Sequence, residues 1–288
     1  MQKILSWHGP EHPRTPILIS VPHAGRHYPP AMTGLARLDS DRLLILEDRY
    51  ADRLSEAAAR AGHSVIIAEI ARGWIDLNRG EDEIDPAMME PGHRTHARPP
   101  ARMSAKVRGG LGLIPRRIAE GGDIWQAALS NADVAERIST AHRPYHAALA
   151  EALEARLDRF GCAVLLDLHT MPPVRATRVE EAPHLVIGDL YGRSAFPRFT
   201  TSVREEGRAA GFRTAHNTPY AGGHILRTHG RPRHGVHALQ LEIDRSLYLD
   251  ASLKEPGPGV AAIAQLVRRI ADALAAEALD AALPLAAE

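Results

Sequence analysis

Two histidines stand where short apolar runs stop. His169 closes the run Val164-Leu165-Leu166-Asp167-Leu168-His169-Thr170. His23 follows Ile17-Leu18-Ile19-Ser20-Val21 within Pro22-His23-Ala24-Gly25. Runs of this kind suit strands buried on both faces of an α/β sheet. In such sheets chemistry collects at the carboxyl ends of the strands. An unpaired buried polar group is costly, so an Asp and a His that end an apolar strand must have partners. His169 is therefore the first candidate metal ligand. Asp167, two residues back on the same strand face, is the candidate to hold the ring from behind. A lone strand-end histidine is more often a structural hydrogen-bonder, and the weight comes from coincidence. His23, Arg79, His169 and Glu242 all fall at or just beyond predicted strand ends. His27, in the same loop as His23, competes with it for the role.

A hydrolytic zinc site takes roughly three N/O protein ligands and keeps a position open for water. His23, His169 and one helix carboxylate would supply that set. Glu47, Asp48 and Asp52 interrupt or flank an apolar stripe of Leu43, Leu44, Leu46, Tyr50 and Leu54, with Arg42, Arg49 and Arg53 as possible counter-ions. A bound ion would acidify its water and polarise a carbonyl. Glu242, at the far end of His237–Ile243, would take the water's proton and pass it to a leaving nitrogen. The Arg of Asn78-Arg79 could hold a substrate carboxylate bidentately. A serine-hydrolase elbow and a His-Glu-x-x-His helix are both absent from the sequence.

These residues need a scaffold to bring them together. Ile17–Val21 reads as the first strand. A helix is expected from a cap at Asp39 or Ser40 to about Ala61, ending at Gly62. Ser64–Ile70 and Trp74–Leu77 read as strands. The stretch from Gly80 to about Arg108 is rich in Pro, Gly, Arg and acid and too long for an ordinary connection, so it is expected to be a lid or functional loop. Gly109–Pro115 is Gly-rich but lacks the features of a phosphate loop. Ala132–Phe160 reads as helical with a break forced by Pro144. Leu185–Gly188 is a strand, Phe196–Ala210 a helix, His216–His224 a loop, His237–Ile243 a strand and Gly259–Ala276 a closing helix with a frayed Ala-rich tail. The alternation predicts one α/β domain over residues 1–288, with helices on both faces of the sheet.

Composition narrows the field. The chain has 288 residues, with Lys+Arg and Asp+Glu both at 35, so there is no basic field for non-specific nucleic-acid binding. A single cysteine, Cys162, excludes a disulfide framework and a Cys-based zinc site. It is expected to be buried and inert, in a reducing compartment such as the cytoplasm. The start, Met1–His8, lacks an apolar leader core, and no uncharged apolar stretch is of membrane-spanning length.

Five segments in order carry a resemblance. Ser20-Val21-Pro22-His23-Ala24-Gly25, Leu46-Glu47-Asp48-Arg49-Tyr50, Asp76-Leu77-Asn78-Arg79, Asp167-Leu168-His169-Thr170 and Gln240-Leu241-Glu242-Ile243 resemble the N-formylglutamate amidohydrolase family, from about Ile17 to Asp244. That family is similar in fold and site to zinc carboxypeptidases, of the phosphorylase/hydrolase-like type. The resemblance implies a mixed central sheet flanked by helices and one catalytic Zn(2+). By position, His23 and His169 match its histidine ligands, Glu242 its general base, and Asn78 with Arg79 its carboxylate-binding pair. Carboxypeptidases place a Glu three residues after the first His, where this chain has Arg26. Asp48 matches the acidic position of the amidohydrolases and is assigned as third ligand, with Glu47 and Asp52 as fallbacks.

Arg108 is expected to polarise the scissile carbonyl or hold a second carboxylate, and Tyr220 to close over the substrate. A surface arginine and a loop-packing tyrosine are the plain alternatives. The expected activity is zinc-dependent removal of a formyl or similarly small acyl group from the nitrogen of an acidic amino acid. The alternatives are a carboxypeptidase-like peptidase or deacylase on another N-acyl compound, since Gly80–Arg108 lacks the aromatic-rich stretch expected there, and a non-catalytic binder on the same scaffold.

Overall fold

The apolar runs become strands whose every residue is buried, because a parallel strand covered on both faces has no solvent side. The structure is a computed structural model that describes residues 3–10, 12–91, 104–118, 121–174 and 181–282. In chain order the strands are β1 (Leu5–His8), β2 (Ile17–Val21), β3 (Ser64–Ala68), β4 (Arg117–Ile118), β5 (Gly122–Asp123), β6 (Ala163–Met171), β7 (Leu185–Gly188), β8 (Thr214–His216) and β9 (Val236–Asp244). The α-helices are α1 (Pro30–Leu35), α2 (Ser40–Leu43), α3 (Ala51–Arg60), α4 (Ala105–Arg108), α5 (Asn131–Arg137), α6 (Arg143–Phe160), α7 (Pro197–Ala209), α8 (His224–His229) and α9 (Val260–Ala282). Among the described residues no helix is long and apolar enough to cross a membrane.

The chain divides into two compact units. One comprises Met1–Ser6, Pro22–Glu47 and Ala68–Ala147; the other comprises Trp7–Val21, Asp48–Ile67 and Ala148–Glu288. The second unit carries most of a seven-stranded mixed sheet of order β1-β3-β2-β6-β9-β7-β8. Strands β3, β2, β6 and β9 pair in parallel, β7 pairs antiparallel with β9, and β8 runs parallel to β7. Parallel pairing sends the carboxyl ends of β2, β6 and β9 to one rim. Helix α9 packs against α3 and α7. Its stripe of Ile263, Leu266, Val267, Ile270 and Leu274 is buried at helical spacing. Cys162 is buried as expected, and burial pushes its thiol pKa up.

The first unit is built around irregular backbone. Trp74–Leu77, expected as a strand, is a succession of turns. Its apolar residues are buried, but its polar backbone is satisfied singly: Asp76 N–H donates to the Leu113 carbonyl at 2.7 Å, and the Trp74 carbonyl accepts from Arg137 at 3.1 Å. The Arg137 guanidinium lies 3.6 Å from the Trp74 ring centroid and 4.5 Å from that of Trp125. Burial lowers its pKa to about 10.

The helix expected from Asp39 to Ala61 is broken. Asp39 caps α2 as predicted, accepting from Arg42 N–H at 2.9 Å. A 3-10 turn over Leu44–Leu46 then opens into extended backbone at Glu47, and Tyr50 takes the left-handed conformation (φ 58°) before α3 begins. The apolar spacing runs straight through this break, so periodicity alone does not show it. The break expected at Pro144 is present as a π-helical turn, Ile138–His142, between α5 and α6. Of the segment from about 80 to 108, residues 92–103 lie outside the described residues. So does the end of the Ala-rich tail, beyond α9, which extends past its expected limit to Ala282.

Candidate active site

Strand register sets the first half of the site. In the β6–β9 pair, Asp167 stands beside Gln240 and His169 beside Glu242; in the β2–β6 pair, Ser20 stands beside Asp167. Alternation along a strand puts these polar side chains on one sheet face, while Leu166, Leu168, Leu239 and Leu241 point to the other. Ser20 Oγ–H donates to Asp167 Oδ1 at 2.9 Å, and His169 Nε2 meets Asp167 Oδ2 at 2.8 Å. Asp167 therefore holds His169 from behind, as the spacing predicted. Gln240 Nε2 donates to Glu242 Oε1 at 2.9 Å, fixing that carboxylate.

The helix break delivers Asp48. Arg49 and Asp48 leave the helical path, and the Tyr248 hydroxyl donates to the Arg49 carbonyl at 2.7 Å to hold them there. Asp48 Oδ1 accepts from Arg245 NH2 at 3.0 Å, and Arg245 Nε donates to Thr170 Oγ1 at 3.1 Å. Asp48 Oδ2 lies 3.1 Å from His169 Nδ1. With Nε2–H given to Asp167, a neutral His169 would present a lone pair at Nδ1 to an anionic oxygen. Such a pair is stable only with a positive charge between them, a proton or a metal ion. Burial alone would disfavour a charged ring, but Asp167, Asp48 and Glu242 raise the His169 pKa well above its ordinary value.

His23 has the matching arrangement in the other unit. Its Nε2 lies 2.8 Å from Asp76 Oδ1, which also accepts from Asn78 N–H at 2.9 Å; Asp76 Oδ2 accepts from Arg72 Nε at 2.9 Å. Burial would raise the Asp76 pKa, but Arg72, Arg79 and His23 outweigh it and hold the carboxyl well below the usual range. Gly25 lets the loop after His23 run against the Ile70 carbonyl, where any Cβ would collide. Each histidine thus gives one ring nitrogen to a buried aspartate that is not itself a candidate ligand, an arrangement typical of metal-bound imidazoles. Within the second unit, Asp48 Oδ2 and His169 Nδ1 offer two candidate ligand atoms 3.1 Å apart; within the first, His23 offers one with its ring held by Asp76.

Residues 15–249 match the model of the family described as N-formylglutamate amidohydrolase. The chain belongs to the N-formylglutamate amidohydrolase family. It is 31% identical over 264 residues to an N-formylglutamate deformylase of Pseudomonas putida, covering 87% of this chain and 86% of that one. A second N-formylglutamate deformylase, from Pseudomonas aeruginosa, is 29% identical over 262 residues, with 87% of each chain covered. The crystal structure of N-formylglutamate amidohydrolase from Ralstonia eutropha JMP134 superposes with a TM-score of 0.84 at 33% identity, covering 96% of this chain and 97% of that one. A gene product of Agrobacterium tumefaciens has the same fold, with a TM-score of 0.68 at 17% identity over 96% of both chains.

The remaining candidates fall into place unevenly. Asn78 and Arg79 are buried, and the Arg79 guanidinium donates through Nε to the Leu111 carbonyl at 2.9 Å and through NH1 to the Asn78 carbonyl at 2.7 Å. Arg108 is exposed at the end of the one-turn helix α4, and Tyr220 is half-buried in the loop between β8 and α8. Of the fallback acids, Glu47 is buried and accepts a hydrogen bond from the Tyr28 hydroxyl, and Asp52 lies in the first turn of α3. His27 is bridged to Ile70 through its backbone. Sequence reasoning gave no role to Asp76, Arg72, Gln240 or Arg245. The Gln-x-Glu alternation in β9 signalled Gln240; the others act over distances that no local pattern records.

Proposed function

We propose that this protein hydrolyses the formyl amide of an N-formyl acidic amino acid, N-formylglutamate foremost, to formate and the free amino acid. Family membership over residues 15–249 supports the reaction. The observation that carries it is Asp48 Oδ2 set 3.1 Å from His169 Nδ1, with Glu242 in register beside His169. In this reading His23, Asp48 and His169 hold a divalent cation, as the family resemblance implies, and two imidazoles with a carboxylate suit zinc. When bound, the ion would polarise the formyl carbonyl and acidify water.

The chain's own groups do the rest. Asp167 and Asp76 fix the two rings, and Arg245 fixes Asp48. Glu242 accepts a proton from the attacking water and returns it to the leaving nitrogen, so the amine departs neutral as the C–N bond breaks. Gln240 keeps the Glu242 carboxylate aimed. Asn78 and Arg79 bind the amino acid's carboxylate, with Arg108 at the carbonyl end or on a second carboxylate, and Tyr220 closing over the substrate. We read the whole chain as one functional domain, in which the segment from about 80 to 108 sets which acyl compounds fit. We place the activity in the cytoplasm, where the lone thiol of Cys162 stays reduced.

Metal content together with formate release tests this reading. Purified protein should carry zinc and release formate from N-formyl-L-glutamate faster than it cleaves N-acetyl-glutamate or a dipeptide. Metal-loaded protein that cleaves only the dipeptide would show a peptidase, and one that cleaves nothing a binder.

A further inference from the structure

We infer that Arg137, His142 and His146 form a row of donors that fixes the backbone of Trp74–Arg79 and so positions the carboxylate-binding pair. The inference rests on the reading of Asn78 and Arg79 as that pair.

Trp74–Arg79 lies outside any strand or helix, so its carbonyls need donors from elsewhere. The continuous stretch of α5, the π turn and α6 supplies three. Arg137 NH1 donates to the Trp74 carbonyl at 3.1 Å, His146 Nε2 to the Leu77 carbonyl at 2.9 Å and His142 Nε2 to the Arg79 carbonyl at 2.8 Å. A carbonyl only accepts, so both rings carry their proton on Nε2. Burial lowers the His142 pKa, which favours the neutral ring that this tautomer describes. The two rings lie against each other, centroids 4.4 Å apart and tilted by 41°.

The π turn is what brings the donors into one row. Residues five apart on an α-helix point in widely different directions, as 137 and 142 would. The Ile138–His142 turn closes from Arg143 N–H to the Ile138 carbonyl, five residues back, and the wider ring brings such positions into line. His146 then follows at an ordinary four-residue step. Pro144 has no N–H to give the ladder, and the wider turn just before it accommodates that loss. Such turns within helices are frequent at functional sites. On its other edge the segment is tied by Asp76 N–H to the Leu113 carbonyl and by Arg79 Nε to the Leu111 carbonyl. Asn78 and Arg79 are thus held from two sides, and the histidines contribute through the backbone they hold.

The test uses His146, which is half-buried and whose replacement disturbs packing least. His146→Leu keeps bulk and deletes the donor, and His146→Gln restores an N–H donor. Both are compared with Arg79→Lys in the full chain at matched metal content. Formate release from N-formyl-L-glutamate and hydrogen exchange across residues 74–80 are the readouts. His146→Leu should raise KM about tenfold with kcat within about threefold, leave metal content unchanged and speed exchange in that segment. His146→Gln should recover most of the KM, and Arg79→Lys should raise KM on its own. If Arg79→Lys raises KM while His146→Leu leaves KM and exchange at wild-type values, the positioning role is overturned and the carboxylate reading stands. If Arg79→Lys leaves KM unchanged, the carboxylate reading fails and takes this inference with it.

Discussion

Asp76→Asn probes how the site is supported from behind. The side chain is fully buried and serves three donors. Oδ1 accepts from His23 Nε2 at 2.8 Å and Asn78 N–H at 2.9 Å; Oδ2 accepts from Arg72 Nε at 2.9 Å, with Arg79 NH2 at 3.9 Å. An asparagine keeps one acceptor and turns the other end into a donor. Its better orientation saves the His23 and Asn78 bonds and aims an NH2 at two guanidiniums. That deletes one charge-assisted bond, worth about 1.5–3 kcal/mol, and removes the buried negative charge beside two guanidiniums. Breaking a buried pair costs about 3–5 kcal/mol, and Arg72 retains some solvent, so we expect a loss of about 3 kcal/mol. The same change loosens the partner that orients His23, which should weaken metal affinity about 10–100-fold. Urea unfolding at constant m-value measures the first effect, and competitive zinc titration the second. A loss under about 1 kcal/mol, with zinc affinity and kcat/KM at wild-type levels, would refute the hub assigned to Asp76.

The other predictions follow from single contacts. Glu242→Gln should lower kcat by about two to four decades while zinc is retained, read by formate release and metal analysis. Arg245→Met strips the counter-charge from Asp48 and should weaken zinc binding about 10–100-fold; Arg245→Lys should fail to restore it, because one ammonium cannot reach both Thr170 and Asp48. His237 is buried between Phe196 and Phe199, and burial, with Arg198 nearby, drives its pKa down to about 4. On acidification the unfolded chain takes up that proton first, near pH 6.5, so stability falls as pH drops through the window between about 6.5 and about 4. Between about pH 7.5 and about pH 5 this histidine alone should cost about 2 kcal/mol, and His237→Leu should remove that slope from urea unfolding; parallel pH profiles for the two proteins would contradict it.

The sheet was legible because parallel strands buried on both faces leave near-continuous apolar runs, as in Ile17–Ile19 and Val164–Leu166. Polar residues ending such runs pointed to His169, Asp167 and Glu242, since buried polar groups must be paired. The register that aligns Glu242 with His169 is a property of two strands and no single segment carries it. Trp74–Leu77 looked like a strand because its apolar residues are indeed buried, but what satisfies its backbone lies about 60 residues away on α5 and α6. The break at Glu47–Tyr50 left no trace in the apolar spacing, which continues from Leu43 to Leu54. Its cause is tertiary: Tyr248 holds the Arg49 carbonyl and Arg245 holds Asp48, both from just beyond β9. The five motifs of the family resemblance covered both gaps, because they record the outcome of folding as well as local preference.

Whether His23, Asp48 and His169 hold one catalytic zinc is decided by metal titration. Protein stripped of metal would be titrated with zinc while formate release from N-formyl-L-glutamate is followed, in the wild type and in His23→Ala, Asp48→Ala and His169→Ala. Activity should rise in step with zinc and level at a single equivalent, with each variant losing both tight zinc binding and turnover. Full turnover by the stripped wild type, or tight zinc binding that survives all three replacements, would contradict it.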